Sequence, residues 1–332
     1  MKTIIKLSVI LLIIFSTNYQ GYSQITPVDG IVYVRFDGAG NGSSWENATN
    51  DLQGAIDADG VSYVYVGAGM YLPSWHYDTE DPRAYSFKLK NHVIIIGSFP
   101  IAGGDFGDID MISHPTILSG DLGVVSDNSD NAYHVVYCDD SQMLDNTARL
   151  ENVVISSGIA NIDDSDRLRG GGVYLDKCSP IFYECIIRDN EAIRGAGVYS
   201  RESSASLLQS NIWFNTASET GGGVLTSVDD TTYFFRSNVS YNSAPDGGGM
   251  ANVDGSTAII KECSFAYNNA TTYGGAILNA NAAAPSFDIC KIYGNNAANG
   301  AGVLNSSASP LFVNTYIAHN EATSAGGGVV NK

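Results

Sequence analysis

Short alternating apolar stretches recur in a fixed phase along the second half of the chain. Each copy has apolar residues eight and three positions before an asparagine. The outer set is Phe182, Leu207, Phe234, Ile260, Phe287 and Phe312. The inner set is Ile187, Ile212, Val239, Phe265, Ile292 and Ile317. Short runs of this kind, separated by glycine, are typical of β-strands, and the 3.6-residue period of a helical repeat is absent from them.

Two further landmarks keep the same phase. The asparagines are Asn190, Asn215, Asn242, Asn268, Asn295 and Asn320, spaced by 25, 27, 26, 27 and 25 residues. Small-residue triplets that begin with glycine recur from Gly170 to Gly326, and an alanine follows each asparagine by two positions. Glycine permits a tight bend or a close approach between chain segments. Asparagines in one column are expected to form a ladder of side-chain amide hydrogen bonds.

The repeat predicts the fold. One unit of about 26 residues cannot bury its own apolar face, so successive units must stack. Stacking places Phe182 over Leu207 over Phe234, with adjacent strands ~4.8 Å apart. We therefore predict an all-β chain that forms a right-handed parallel β-helix.

The first half of the chain is less regular. The regular repeats are predicted over 148–332. This region begins with a degenerate copy around Leu150, which has about six inserted residues in Asn161–Arg169. Residues 24–147 are predicted to form an irregular cap and the first coils, with a short capping helix within Thr49–Asp57. The strands predicted there are Ile31–Phe36, Tyr63–Val66, Phe87–Phe99, Pro115–Leu118 and Tyr133–Tyr137.

The N-terminus has the pattern of an export signal. Lys2 and Lys6 precede a short apolar run, and the small residues Gly21 and Ser23 precede Gln24. This pattern predicts a signal peptide over 1–23 and a location outside the cell or at the outer membrane. The apolar run is too short to cross a bilayer as a helix.

The glycine triplets and an F-x-x-N pattern, clearest at Phe265–Asn268, resemble the repeats of chlamydial polymorphic outer-membrane proteins. The N-terminal part is similar to large secreted β-helix proteins of Bacteroidetes type, over stretches such as Ile31–Trp45 and Val64–Pro73. The resemblance implies a pectin-lyase-like fold, a place at or beyond the outer membrane, and often a role in adhesion.

The net charge of the chain limits the classes of partner that it is expected to bind. The chain carries a formal net charge of −18, with 35 acidic and 17 basic residues. An acidic surface of this size repels nucleic acid and anionic membranes, so neither is expected as a partner. A glycan or a cell-surface ligand remains as the expected partner.

The cysteines and histidines give little sign of catalysis. Cys185, Cys263 and Cys290 share one position of the repeat, where other copies have serine or threonine, so buried free thiols are favoured over a disulfide between Cys263 and Cys290. The five histidines form no metal-binding motif. No cofactor is expected apart from Ca²⁺ at an oxygen-rich loop.

Three acidic loops are the candidates for such a cation. They contain Asp105–Asp110, Asp127–Asn131, and the group Asp163, Asp164 and Asp166, which lies in the insertion. Oxygen-rich loops bind Ca²⁺, but solvated turns use the same residues, and none of the three has EF-hand spacing. We select Asp163, Asp164 and Asp166 as the candidate metal site.

Two functional hypotheses remain. In the first, the chain is an adhesin-like scaffold that binds a glycan or a surface partner without catalysis. Its ligand site is predicted at five aromatic residues that stand one or two positions before a landmark asparagine, namely Trp213, Phe214, Tyr241, Tyr267 and Tyr293. An aromatic ladder that only stabilises the sheet is the competing interpretation of these residues. In the second hypothesis, the chain is a polysaccharide lyase or glycoside hydrolase, which would need convergent carboxylates, and these do not persist from copy to copy.

The C-terminus raises one more expectation. Gly326 opens a seventh triplet, and the strands and the Asn-x-Ala landmark that should follow it are absent before Lys332. Solenoids usually cap such an edge, because an open edge recruits other chains. We therefore expect the natural chain to continue, with outer-membrane association through the missing region.

Overall fold

A computed structural model describes residues 24–125, 127–163 and 166–332. The predicted signal peptide, 1–23, lies outside the described residues. Each coil of the regular region contains four short strands, and each strand pairs in parallel with the equivalent strand of the next coil. For example, Ile187 pairs with Ile212, and Ile212 pairs with Val239. The all-β, parallel-sheet prediction is confirmed.

Four sheets run along the solenoid. The first consists of Ile31–Val34, Tyr63–Gly67, Ile94–Phe99, Arg149–Glu151, Ile181–Tyr183, Ser206–Leu208, Tyr233–Phe235, Ile259–Lys261, Ser286–Asp288 and Leu311–Val313. The second consists of Gly69–Tyr71, Thr116–Ser119, Val154–Ser156, Ile186–Arg188, Asn211–Trp213, Asn238–Ser240, Ser264–Ala266, Lys291–Tyr293 and Tyr316–Ala318.

The other two sheets complete each coil. The third consists of Ile159–Ala160, Glu191–Arg194, Thr216–Thr220, Ser243–Asp246, Asn269–Tyr273, Asn296–Asn299 and Glu321–Ala325. The fourth consists of Val136–Cys138, Val173–Asp176, Val198–Arg201, Val224–Ser227, Met250–Asn252, Ile277–Ala280, Val303–Ser306 and Val329–Asn331. The first sheet contains strands from both 24–147 and 148–332, so the two regions share one solenoid.

Stacked apolar side chains fill the interior. Phe182, Leu207 and Phe234 lie in successive coils of the first sheet and are buried. The ring of Phe287 stacks on that of Phe312, with centroids 4.8 Å apart. Side chains therefore alternate along each strand as predicted. Every second side chain points into the core, and the side chains between them point outward.

The landmark asparagines form a buried hydrogen-bonded ladder. The side-chain Nδ2 of Asn242 donates to Oδ1 of Asn268 at 3.1 Å, and Asn268 donates in the same way to Asn295 at 3.0 Å. A second ladder, which was not predicted, runs inside the fourth sheet. Its members are Asn252, Asn279, Asn305 and Asn331, linked at 2.8 Å. Each lies five residues after the start of a triplet, so the spacing alone could have revealed them.

The triplet glycines allow the coils to approach closely. A Cβ atom on Gly249 would lie 2.6 Å from the carbonyl oxygen of Ala276 in the next coil. The first glycine of each triplet has a positive φ, for example 62° at Gly195. That glycine therefore makes the sharp corner between the third and fourth sheets.

A helix covers the first coil. It spans Leu52–Asp57, shorter than the predicted Thr49–Asp57, because the Asp51 carboxylate accepts the backbone N–H of Gly54 and so sets its start. The helix buries Leu52, Ala55 and Ile56 against the end of the core. No helix among the residues that the structure describes is long and apolar enough to span a bilayer.

One predicted strand was wrong. The single strand Phe87–Phe99 is instead Ile94–Phe99, preceded by a separate antiparallel hairpin of Trp75–His76 and Tyr85–Ser86. The hairpin packs on the outside of the solenoid, where Tyr77 stacks on Tyr137 with centroids 4.3 Å apart. A short 3-10 helix, Phe106–Asp108, lies in the first acidic loop.

The cysteines divide into one pair and three free thiols. Cys138 and Cys178 form a disulfide that joins neighbouring coils, a pairing that was not predicted. Cys185, Cys263 and Cys290 are buried and free. The three thiols share the interior position that serine occupies in other coils, as their common phase predicted.

Candidate functional site

Three of the five predicted aromatic residues form an exposed column at the corner between the second and third sheets. Phe214, Tyr241 and Tyr267 are 53%, 49% and 49% exposed. Their centroids are 5.2 Å apart at both steps, and adjacent rings are inclined by 16° and 17°. All three have φ near +55°, so the backbone turns inward at the corner and the side chains point into solvent.

Trp213 lies beside Phe214 in the same coil, and Tyr293 lies in the coil after Tyr267. Trp213 lies 6.2 Å from Phe214, and Tyr293 meets Tyr267 edge-on at 5.6 Å. Gly294 occupies the next corner position, where a Cβ would lie 2.7 Å from the Tyr267 ring. The missing side chain therefore gives Tyr267 and Tyr293 room to meet. We call Trp213, Phe214, Tyr241, Tyr267 and Tyr293 the aromatic column.

The column has a mixed chemical character. Offset-stacked rings leave part of each face and edge open, and the phenol groups of Tyr241 and Tyr267 add hydrogen-bonding capacity. Ser240 and Ala266 point outward between Trp213 and Tyr293 yet are only 2% exposed, so neighbouring side chains cover them. The column thus presents both apolar ring surface and phenol groups to solvent.

The structure describes two of the three predicted metal residues, Asp163 and Asp166. Asp163 is exposed, Asp164 lies outside the described residues, and Asp166 accepts a hydrogen bond from the Tyr174 hydroxyl at 3.2 Å. Within 24–125, 127–163 and 166–332, no three His, Cys, Asp or Glu side chains are placed to hold one metal ion.

A groove outside the fourth sheet was not predicted. Tyr174, Tyr199 and Leu225 point outward in register, yet each is at most 4% exposed. They pack in one apolar cluster, against which Trp75, Tyr77 and Tyr273 also pack. The corner glycine Gly195 approaches this cluster closely, since a Cβ there would lie 3.0 Å from that of Leu225. Consecutive apolar residues after each triplet, as in Val198-Tyr199, were the available signal, since they indicate burial on both faces.

The groove widens into a cavity of about 460 Å³ between Asp166 and Asn281. Three arginines line it, namely Arg169, Arg194 and Arg201. Arg169 lies 5.3 Å from the Tyr199 ring centroid, Arg194 pairs with Glu219 at 2.7 Å, and Arg201 pairs with Asp176 at 3.2 Å. The groove therefore offers positive groups on a strongly acidic chain.

Arg201 is poorly suited to act as a base. Burial acts to lower its pKa, but the carboxylates of Asp176 and Glu202 raise it above the ordinary value. Burial raises the pKa of Asp176, and Arg201 opposes that shift. Asp176 and Arg201, which are in register on adjacent strands, thus form an ion pair between coils.

Comparisons with known proteins bear on the fold. No family model matches the chain, and no curated protein matches it. Among solved structures, the chain is similar to the crystal structure of pectate lyase Pel9A, with a TM-score of 0.50 and 13% sequence identity, over 89% of this chain and 78% of that one. At this identity the likeness concerns the fold alone. The chain therefore has the right-handed parallel β-helix architecture.

Proposed function

We propose that this protein is a secreted or cell-surface scaffold, adhesin-like, that binds a glycan or a surface partner without cleaving it. The aromatic column carries the proposal. Its half-exposed rings lie along the axis of a rigid solenoid, where a long ligand would meet equivalent groups at each coil. Aromatic faces bind the apolar faces of sugar rings, and exposed apolar patches mark interaction sites.

The resemblance to polymorphic outer-membrane protein repeats and the predicted export signal support the same location, at or beyond the outer membrane. The disulfide Cys138–Cys178 also fits an oxidising compartment. The groove arginines are held in ion pairs or against a tyrosine ring, which favours binding over base catalysis.

A glycan array tests the proposal. The wild-type chain is compared with the double variant Tyr241→Ala/Tyr267→Ala, and binding is expected to fall at least about tenfold, since each lost ring removes ~1 kcal/mol of stacking. Tyr316→Ala is the matched control, because Tyr316 is exposed at 55% on the second sheet, outside the column. Unchanged binding by the double variant would refute the role of the column.

A parallel assay separates binding from cleavage. Polysaccharides that bind are incubated with the protein, and new unsaturated or reducing ends are measured. We expect none. The lyase or hydrolase hypothesis would replace the proposal if the wild-type chain released such ends. In that case Arg201→Ala should lose the release and Tyr241→Ala/Tyr267→Ala should retain it.

A further inference from the structure

A closed loop leaves the solenoid between Gly120 and Ala132. The backbone N–H of Ala132 donates to the carbonyl oxygen of Gly120 at 2.7 Å, so the two ends of the loop meet. The loop lies next to the predicted insertion: Arg83 donates to the backbone oxygens of Asn131 and Ile159 at 2.6 and 2.7 Å, and to Asn161 at 3.0 Å.

Asn131 has an unpaired buried oxygen. The residue is 3% exposed, and its Nδ2 donates to the Ser157 carbonyl oxygen at 2.8 Å. That bond fixes the orientation of the amide, because turning it over would set two oxygens against each other. Its Oδ1 is buried and has no hydrogen-bond partner. A buried acceptor without a partner is energetically unfavourable, so a partner is expected.

Asp130, the preceding residue, has a second such oxygen. Its Oδ2 accepts the backbone N–H of Val124 at 2.7 Å, while its Oδ1 is buried without a hydrogen-bond partner. Gly123 allows this arrangement, since a Cβ there would collide with the Asp130 carboxylate. Asp121 begins the same loop, directly after the Gly120 that bonds to Ala132. The loop thus carries two buried oxygens without hydrogen-bond partners on the adjacent residues Asp130 and Asn131.

We propose that Asp130 and Asn131, together with Asp121, form a Ca²⁺ site. The donors are two carboxylates and an amide oxygen, the hard ligands that Ca²⁺ prefers, with backbone carbonyls and water completing six to eight ligands. Sulfur and imidazole donors, which select zinc or copper, are absent from this set. The bound cation would partner the two orphan oxygens and pin the loop against the coil that carries the 161–169 insertion.

This site is independent of the aromatic column. It differs from the predicted metal residues Asp163, Asp164 and Asp166, and it uses one of the other two acidic loops of the sequence. Extracellular Ca²⁺ sites bind at about 10⁻⁴–10⁻³ M, and an affinity in that range is expected.

Isothermal titration with CaCl₂ and thermal unfolding in Ca²⁺ or EDTA, both on the full chain, test the site. We expect one ion to bind, a higher melting temperature with Ca²⁺, and a loss of affinity of at least about tenfold in Asp130→Asn. Asp127→Asn is the matched control, since Asp127 lies in the same loop but is exposed and already bonded to Ser129. Its affinity should be unchanged.

A second variant covers the case in which Asp130→Asn fails to fold. Asn131→Asp adds a carboxylate at the proposed ligand and should bind Ca²⁺ more tightly than wild type, while being less stable in EDTA. The proposal is overturned if wild type binds no Ca²⁺ up to about 10 mM. It is also overturned if Asp163→Asn abolishes binding while Asp130→Asn retains it, because the ion would then lie at the insertion.

Discussion

Asn242 donates its side-chain amide to Oδ1 of Asn268 at 3.1 Å, although the two residues are 26 positions apart in the chain. The backbone N–H of Asn242 donates to the same oxygen at 3.0 Å. Asn268 in turn donates to the carbonyl oxygen of Val239 at 2.9 Å. Asn268 also donates to Oδ1 of Asn295 in the following coil at 3.0 Å. One asparagine therefore satisfies polar groups in both adjacent coils, which explains why this residue type recurs once in each coil.

Asn268→Ala should destabilise the protein strongly. The change removes the acceptor of the Asn242 backbone N–H and the donor to the Val239 carbonyl, both buried, while the Asn242 side-chain amide keeps its bond to Ile212. The expected cost is about 3 kcal/mol. Asn269→Ala is the control, because Asn269 is the next residue but is exposed, and its effect should be within about 0.5 kcal/mol. Urea unfolding followed by circular dichroism measures both. Equal midpoints for the two variants would contradict a structural role for the ladder.

Gly249→Ala should also be destabilising. The added methyl would lie 2.6 Å from the Ala276 backbone oxygen and 2.9 Å from the side-chain nitrogen of Asn268. Asn268 is held in the ladder and cannot move away easily, so a cost of about 1–3 kcal/mol is expected. Gly107→Ala provides the comparison, since a methyl group added there would have no atom within 4 Å. Thermal melts of the two variants should differ clearly. A Gly249→Ala variant as stable as wild type would show that the coils can separate at this position.

The thiols should fall into two classes. In the folded, non-reduced protein no thiol is expected to react with a disulfide reagent, because Cys185, Cys263 and Cys290 are buried. Denaturation should expose three thiols, and reduction followed by denaturation should expose five. Reduction should also lower stability by about 2–4 kcal/mol, because the disulfide spans 40 residues. Five reactive thiols before reduction would exclude the Cys138–Cys178 bond.

The buried thiols should make stability fall at alkaline pH. Burial raises the pKa of Cys185 to about 12, whereas an unfolded thiol titrates near about 8.5. The unfolded chain therefore loses its proton first, so the stabilisation is complete below about pH 8.5 and is lost as the pH rises towards 12, by up to about 1.4 kcal/mol per unit.

Cys185→Ser tests this dependence, because Ser210 and Ser237 occupy the same position in the next two coils. The variant should show a shallower loss of stability than wild type between about pH 9 and 11 in urea unfolding. Measurements at pH 7 provide the baseline for each protein. Parallel slopes for variant and wild type would mean that the Cys185 thiol does not govern the alkaline loss.

The sequence predicted the solenoid well because its signal is repeated. Each interior position, such as Phe182, Leu207 and Phe234, must match its neighbour one coil away, so the spacing of 25–27 residues encodes both strand and register. The first half was predicted less well. There, the hairpin of Trp75–His76 and Tyr85–Ser86 interrupts the period, and the prediction of one strand over Phe87–Phe99 was wrong.

The candidate site was also predicted only in part from the sequence. The shared phase of Phe214, Tyr241 and Tyr267 places them in one column on the strength of the repeat alone. Their exposure depended on the positive φ at the corner, a backbone feature that residue identity alone does not specify for tyrosine or phenylalanine. The groove was missed because residues from separate elements cover the outward side chains of the fourth sheet, although paired apolar residues such as Val198-Tyr199 indicated burial on both faces.

The sequence by itself determined the coil: which residues face inward, where the asparagines stack, and where glycine must bend the chain. These follow from local alternation and spacing, which every copy repeats. Only the tertiary structure decided the Cys138–Cys178 pairing, the groove beside Tyr174 and Tyr199, and the enclosed oxygens of Asp130 and Asn131. Those features join segments that occur once and have no period, so their contacts exist only after the coils have stacked.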